Sequence, residues 1–247
     1  MLDRNVDFEL AGNRHPMQTH YRVGFDDDGM LIALDAKVYS DCGWSFDISP
    51  AVTDRTLLHQ ESSYRIPYFS AESFMCKVNG YSNTAFRGFG APQGVFAMES
   101  IIEHVADYLH KPVEEIRRKN LYREGDIAPF GTKLNDCLNI PSWDYIVKKF
   151  DYYNKKKEVE EFNKVNKYKK RGIAIIPLKF GISFTFGTLN QGGSIVQVYR
   201  DGTVLISHGG VEMGQGLHTK VALIAAKTLN IPIENIRIDE TNTSKVA

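Results

Sequence analysis

Cysteine is scarce in this chain. Cys42, Cys76 and Cys137 are the three in 247 residues, far apart and without the C-x-x-C spacing that zinc or iron–sulfur sites need, so each reads as a buried or incidental thiol. Net charge is missing too. Lys and Arg together number 30 and so do Asp and Glu, which leaves no long-range field to favour nucleic acid or anionic lipid. No apolar run is long enough to span a bilayer, and residues 1–7 carry charges where a signal peptide needs an apolar stretch. A cytoplasmic or peroxisomal location is the expectation. The sequence also contains no G-x-x-x-x-G-K-[ST] phosphate loop, no G-x-S-x-G nucleophile elbow and no H-E-x-x-H zinc motif. Several common enzyme classes drop out with them.

What is present is enough apolar character, 43% of residues, for an ordinary globular core. Residues 21–25 and 30–39 read as two strands joined by Asp26-Asp27-Asp28-Gly29, whose Asp-Gly step suits a tight turn. The Asp triplet lacks the alternate-position ligands and bidentate Glu of a calcium loop, and is read as a turn. The same pattern returns at residues 194–199 and 203–207, around Arg200-Asp201-Gly202. Two similar hairpins hint at two related sheet subdomains.

A helix is predicted from Pro92, with Val95, Met98, Ile101, Ile102, Val105 and Leu109 on one face. Another begins near Pro112, with Glu114 and Glu115 early and Arg117, Arg118 and Lys119 late, in the order that complements the helix dipole. Residues 143–171 are rich in Lys, Glu, Asn and Tyr and predict exposed helix faces, with interspersed acids that argue against a nucleic-acid patch. The apolar run Gly172-Ile173-Ala174-Ile175-Ile176-Pro177 reads as a buried strand, residues 217–229 as a helix and residues 236–239 as a strand. The expected fold is α+β, with mixed sheets built around the two hairpins and helices on their faces. The expected division is 1–138 and 139–247.

Three stretches combine glycine with polar or aromatic residues in ways that do not help a core. Ser82-Asn83-Thr84-Ala85-Phe86-Arg87-Gly88-Phe89-Gly90-Ala91-Pro92-Gln93 precedes a helix, where close backbone approach and a helix N-terminus suit an anionic ligand. A tight strand-to-helix turn with Arg87 paired to a carboxylate and Phe89 in the core is the reading that composition alone favours. Lys179-Phe180-Gly181-Ile182-Ser183-Phe184-Thr185 sets two aromatics among small and hydroxyl residues, as a platform for a flat ring or as a half-buried strand. The third stretch runs from Ser207 to Lys220 through Met213-Gly214-Gln215-Gly216, a glycine-rich loop with backbone donors and an amide able to cradle a phosphate or oxo ligand. Glu212, His208 and His218 lie in it, and their spacing assigns them neither acid–base nor metal-binding roles.

Together, and in this order, Asn83-Thr84-Ala85-Phe86-Arg87-Gly88-Phe89-Gly90, the 179–185 stretch and Met213-Gly214-Gln215-Gly216 resemble the molybdopterin-binding region of the molybdenum hydroxylases, the xanthine dehydrogenase and aldehyde oxidase family. The likeness extends to Gly12-Asn13-Arg14-His15-Pro16, Arg118-Lys119-Asn120-Leu121-Tyr122 and Phe162-Asn163-Lys164, and covers a middle section of a much longer protein. It implies that residues 1–138 are the later part of a first molybdopterin-binding subdomain and 139–247 the earlier part of a second.

By motif, the resemblance places Gly214, Gln215 and Gly216 at the cofactor, with Gln215 facing an oxo ligand of molybdenum without binding the metal. Arg87 lines the cofactor's other side. Phe89 and Phe184 face a flat substrate ring, one stacking and one edge-on, with Thr185 offering a hydrogen bond. Asp54-Arg55-Thr56-Leu57-Leu58 aligns where xanthine dehydrogenases carry an arginine that polarises a purine carbonyl and aldehyde oxidases usually carry an uncharged residue. Arg55 therefore favours purines such as hypoxanthine and xanthine over an aldehyde oxidase-like specificity.

The implied reaction is hydroxylation of an electron-poor carbon with oxygen from water, in a parent that also uses 2Fe-2S clusters and FAD and is a homodimer. Its glutamate base lies beyond Ala247, so the chain alone is expected to hold part of a pocket, no catalytic base and no activity. The competing expectation is a non-catalytic remnant that keeps the fold.

Overall fold

In a computed structural model that describes residues 2–246, the chain forms two compact units, Met1–Thr185 and Phe186–Ala247. The first unit opens with a short helix, α1 (Arg4–Leu10), followed by strands β1 (Met17–Phe25) and β2 (Leu31–Asp41), which pair antiparallel from Met17 opposite Ser40 onward. Gly29 takes φ 83° in the turn, and the Asp26 carboxylate accepts the Asp28 and Met30 amides at 3.0 and 2.8 Å. The Asp triplet is an Asx-type turn.

Helix α2 (Ser49–Leu57) carries the chain across to β3 (Tyr68–Cys76), which pairs parallel with β2 and leaves β2 central in a mixed three-stranded sheet. Neither α2 nor β3 is expected from hydrophobic periodicity. The buried face of α2 is largely polar, with Ser49, Thr53, Arg55 and Thr56 beside Val52, and β3 has no residue in the fully buried class.

Helix α3 (Ala91–Tyr108) buries Met98, Ile101, Ile102 and Val105 against Leu34, Ala36 and Tyr64. Each such side chain contributes about 1.5–3 kcal/mol on burial. Helix α4 (Val113–Asn120) brings Arg117 under α3, where its Nε donates to Glu99 at 2.7 Å and an Nη donates to Glu103 at 3.0 Å. The Tyr64 hydroxyl donates to the other Glu99 oxygen at 2.7 Å. Burial raises the Glu99 pKa in spite of these partners.

Helices α5 (Asn139–Lys149) and α6 (Tyr152–Val165) account for the charged region and belong to the first unit. Trp143 enters its core, and Lys156 donates to the buried Glu114 at 2.6 Å. Compactness divides the chain at Thr185–Phe186.

The apolar run 172–177 is not a strand. No β-ladder is assigned to it. Ile175 packs on the core while Ile176 is exposed, and the run passes along α5 as extended chain.

In the second unit, β4 (Ser194–Val198) and β5 (Val204–His208) form the second hairpin, α7 (Leu217–Leu229) crosses over, and β6 (Ile236–Ile238) pairs parallel with β5. The order matches that of β1, β2, α2 and β3. An antiparallel hairpin joined through a helix to a parallel third strand is built twice, which makes both sheets mixed, as expected for an α+β fold. Val204, Ile206, Ala222 and Ile236 form the small second core. Among the described residues no helix is long and apolar enough to cross a membrane.

Candidate functional site

Each unit holds one of the two arrangements to which the motifs point. In the first, α3 begins after a backbone reversal in which Gly88, Phe89 and Gly90 take φ of 99°, 51° and 93°, three left-handed residues in succession. Gly90 is obligatory here: a Cβ on it would meet the Val52 carbonyl at 2.1 Å. The reversal aims the half-buried Phe89 ring at Phe184, with centroids 5.6 Å apart and planes tilted by 56°. The pair is a direct aromatic contact, so a flat ring entering between them must part them. Upstream, the Arg14 guanidinium donates to the Arg87 carbonyl at 2.7 Å and lies 4.5 Å over the Phe86 ring.

Arg55 sits near the end of α2 and is 6% exposed. One of its Nη groups donates to the Gly181 carbonyl and the other to that of Ser183. Its Nε is buried without a partner, and burial, unopposed by any carboxylate, lowers its pKa. An uncompensated buried guanidinium is costly, and it retains N–H groups for an incoming acceptor.

One turn on, His59 Nδ1 lies 2.9 Å from the Arg55 carbonyl, and its Nε2 accepts the Gly181 amide at 3.0 Å. These two bonds require the neutral ring protonated at Nδ1. The lowered pKa of His59, set first by burial, agrees with that. The Lys179 ammonium is paired with Glu61, which is 1% exposed at its side chain. His59, Glu61 and Lys179 are site residues that sequence reasoning missed. Lys179 is the first residue of the 179–185 stretch and carries a visible signal. His59 and Glu61 lie in a wholly buried polar run, residues 59–63, whose chemistry looks solvent-seeking.

In the second unit, the loop before α7 is organised by Glu212. Its carboxylate accepts amides from Gly214 at 2.9 Å, Gly216 at 3.0 Å and His218 at 3.2 Å. Partial desolvation opposes ionisation, but the three amides outweigh it and hold the carboxyl below its ordinary range. A cradle of backbone N–H groups that binds a carboxylate fits an anionic group chemically.

Gln215 is turned into its own loop. Its amide donates to the Val211 carbonyl at 2.8 Å and accepts from Met213 N at 2.5 Å, so facing an external ligand would mean exchanging those bonds. His208 and His218 approach within 3.0 Å, yet among the described residues no group of three His, Cys, Asp or Glu side chains could hold a metal. The structure thus joins Arg55, Phe89, Phe184 and Thr185 within one unit, and Gly214, Gln215 and Gly216 within the other.

The chain matches two family models, each described as a molybdopterin cofactor-binding domain, over residues 1–121 and 145–247. It is 48% identical over 247 residues to xanthine dehydrogenase of Emericella nidulans and 49% identical over 246 residues to xanthine dehydrogenase/oxidase of Gallus gallus. All of the chain is covered in both cases, and it spans 18% of each relative's length. Among solved structures, aldehyde oxidoreductase of Desulfovibrio gigas shares the fold with a TM-score of 0.73 at 21% identity, covering 94% of this chain and 25% of that one. Quinoline 2-oxidoreductase of Pseudomonas putida 86 does so with a TM-score of 0.73 at 20% identity, covering 97% and 32%.

Proposed function

The chain belongs to the molybdopterin-binding region of the molybdenum hydroxylases, on the xanthine dehydrogenase side of that family, and we propose that it forms the purine-facing wall and part of the cofactor cradle of such an enzyme. One observation carries the reading. The buried Arg55 guanidinium, with no carboxylate partner among the described residues, donates to the segment that bears Phe184 and Thr185 and lies over the Phe180 ring, while Phe184 meets Phe89.

The cofactor, when bound, supplies the redox chemistry and delivers the oxygen. The chain's own residues orient the substrate. Phe89 and Phe184 grip a flat heterocycle through its faces and edges, which fixes its plane without selecting its substituents. Arg55 adds the selection: its remaining N–H groups donate to a ring carbonyl and stabilise the negative charge that builds on a purine during attack. An aldehyde-directed site has no use for a buried guanidinium at this place. In the first unit Arg87 would line the cofactor. In the second, the Gly214 and Gly216 amides would hold an anionic group by exchanging their bonds to Glu212, and Gln215 would face an oxo ligand by exchanging its bonds to Val211 and Met213.

In the complete hydroxylase, Arg55→Met should lower kcat/KM for xanthine roughly 10- to 100-fold, the loss of one charge-assisted hydrogen bond, while aldehyde turnover stays within about twofold. Equal losses on both substrates would count against the purine assignment. The 247-residue chain by itself, which spans 18% of each relative's length, is expected to turn over no xanthine. Turnover by the pure chain would refute that.

A further inference from the structure

Residues 179–185 belong to no helix or ladder, and they add little to the core: Ile182 is 98% exposed and Phe180 is 48% exposed. Yet the segment is attached at four points. Lys179 pairs with Glu61, the Gly181 amide donates to His59, the Gly181 and Ser183 carbonyls accept from Arg55, and the Phe184 ring rests on Phe89. Three of the four involve residues 55, 59 and 61. Arg55 and His59 are four residues apart, and the chain continues in tight turns after α2, so all three present to the same stretch.

Of these tethers, the ion pair has the fewest alternatives. Glu61 is buried and Lys179 is its ammonium partner, while the Tyr122 and Phe130 rings flank that ammonium with centroids at 5.5 and 4.9 Å. Flanking rings and one buried carboxylate leave the ammonium a single direction. The ion pair therefore fixes the start of a segment whose middle holds the Arg55 guanidinium and whose end carries the Phe184 ring.

We propose that Lys179 and Glu61 are positioning residues for purine recognition: their buried ion pair sets where residues 181–183 run, and through that segment where the Arg55 guanidinium stands against a bound ring. The inference rests on the purine reading above. Neither side chain touches the substrate. Losing the pair lets the segment drift, so the Arg55 donors lose their aim at a ring carbonyl while a substrate without that carbonyl is little affected.

The test has two readouts. In the complete hydroxylase, Lys179→Met should lower kcat/KM for xanthine roughly tenfold, the equivalent of one weakened charge-assisted bond. kcat/KM for an aldehyde should change less than about twofold, and Lys179→Arg should restore most of the loss. Combined with Arg55→Met, Lys179→Met should add no further loss, since both act through one guanidinium. In the 247-residue chain, with no substrate present, the Gly181 amide should exchange faster in Lys179→Met than in the unsubstituted chain. Should Lys179→Met fail to fold, the neutral pair Glu61→Gln with Lys179→Met is read in the same way.

An unchanged kcat/KM for xanthine, or losses that simply add in the double variant, would overturn the proposal. If Arg55→Met itself spares xanthine, the purine reading fails. The Gly181 exchange rate then decides alone whether the ion pair positions the segment: faster exchange upholds that role and unchanged exchange removes it.

Discussion

The two motif-bearing loops, one in each unit, are held in opposite ways. Residues 179–185 are pinned by side chains more than 90 positions away in sequence, Arg55, His59, Glu61 and Phe89, whereas residues 211–218 are pinned by Glu212 and Gln215 from within. The glycines before the two helices repeat the contrast. Gly90, before α3, presses on the Val52 carbonyl of α2, while Gly216, before α7, has nothing within 4 Å of where a Cβ would stand. A loop held from afar depends on its unit being folded, and a loop held from within depends on its own few residues.

That contrast is sharpened by substitutions of decreasing effect. Arg117→Met strips the buried Glu99 of its cation in the first unit, and should lower stability by about 3–5 kcal/mol in urea unfolding. Exchange at Gly181 should rise with it, and protection at Gly214 and Gly216 should not change. Gly90→Ala adds a steric clash to backbone strain and should cost about 3 kcal/mol by the same measurement. Gly216→Ala carries only the strain of φ 74° in open space, and about 1 kcal/mol is expected. Equal losses from the two glycine substitutions would break the comparison.

The smallest effects are those of pH, and the two loops should respond in different windows. His59 accepts the Gly181 amide only as the neutral ring and its pKa is lowered in the fold. Its contribution is therefore present above the ordinary imidazole value of about 6.5 and is lost as pH falls through the lowered one. Glu212, also lowered, holds its three amides above the ordinary carboxylate range and releases them as pH falls through its own lowered value. Amide exchange of Gly181 against Gly214, Gly216 and His218 across an acid titration checks both. Loss of all four protections in one step would contradict separate anchors.

Local chemistry was the legible part of the sequence. Both hairpins, α3 with its apolar stripe, α4 with its charge order, and α7 follow from turn residues and spacing, and so does the loop around Gln215, whose hydrogen bonds close within seven residues. What was not legible is the distant half. Helix α2 buries Thr53, Arg55 and Thr56, and residues 59–63 are polar and buried together, so hydrophobic periodicity passes over the elements that hold Arg55 and Glu61. The run 172–177 reads as a strand because it is apolar, but a strand exists only if another offers it a ladder. The family resemblance supplied Arg55, Phe89 and Phe184 without saying that Glu61 and Lys179 support the segment on which two of them meet.

The three left-handed residues Gly88, Phe89 and Gly90 bear on how tightly a substrate can bind. A ring carried on ordinary extended backbone explores several orientations, and a ligand that needs one of them must freeze the rest. Here the main chain, wedged against Val52 at Gly90, fixes the backbone from which the Phe89 ring projects. That part of the ordering is done at folding, and what a flat ligand would still have to overcome is the contact of Phe89 with Phe184.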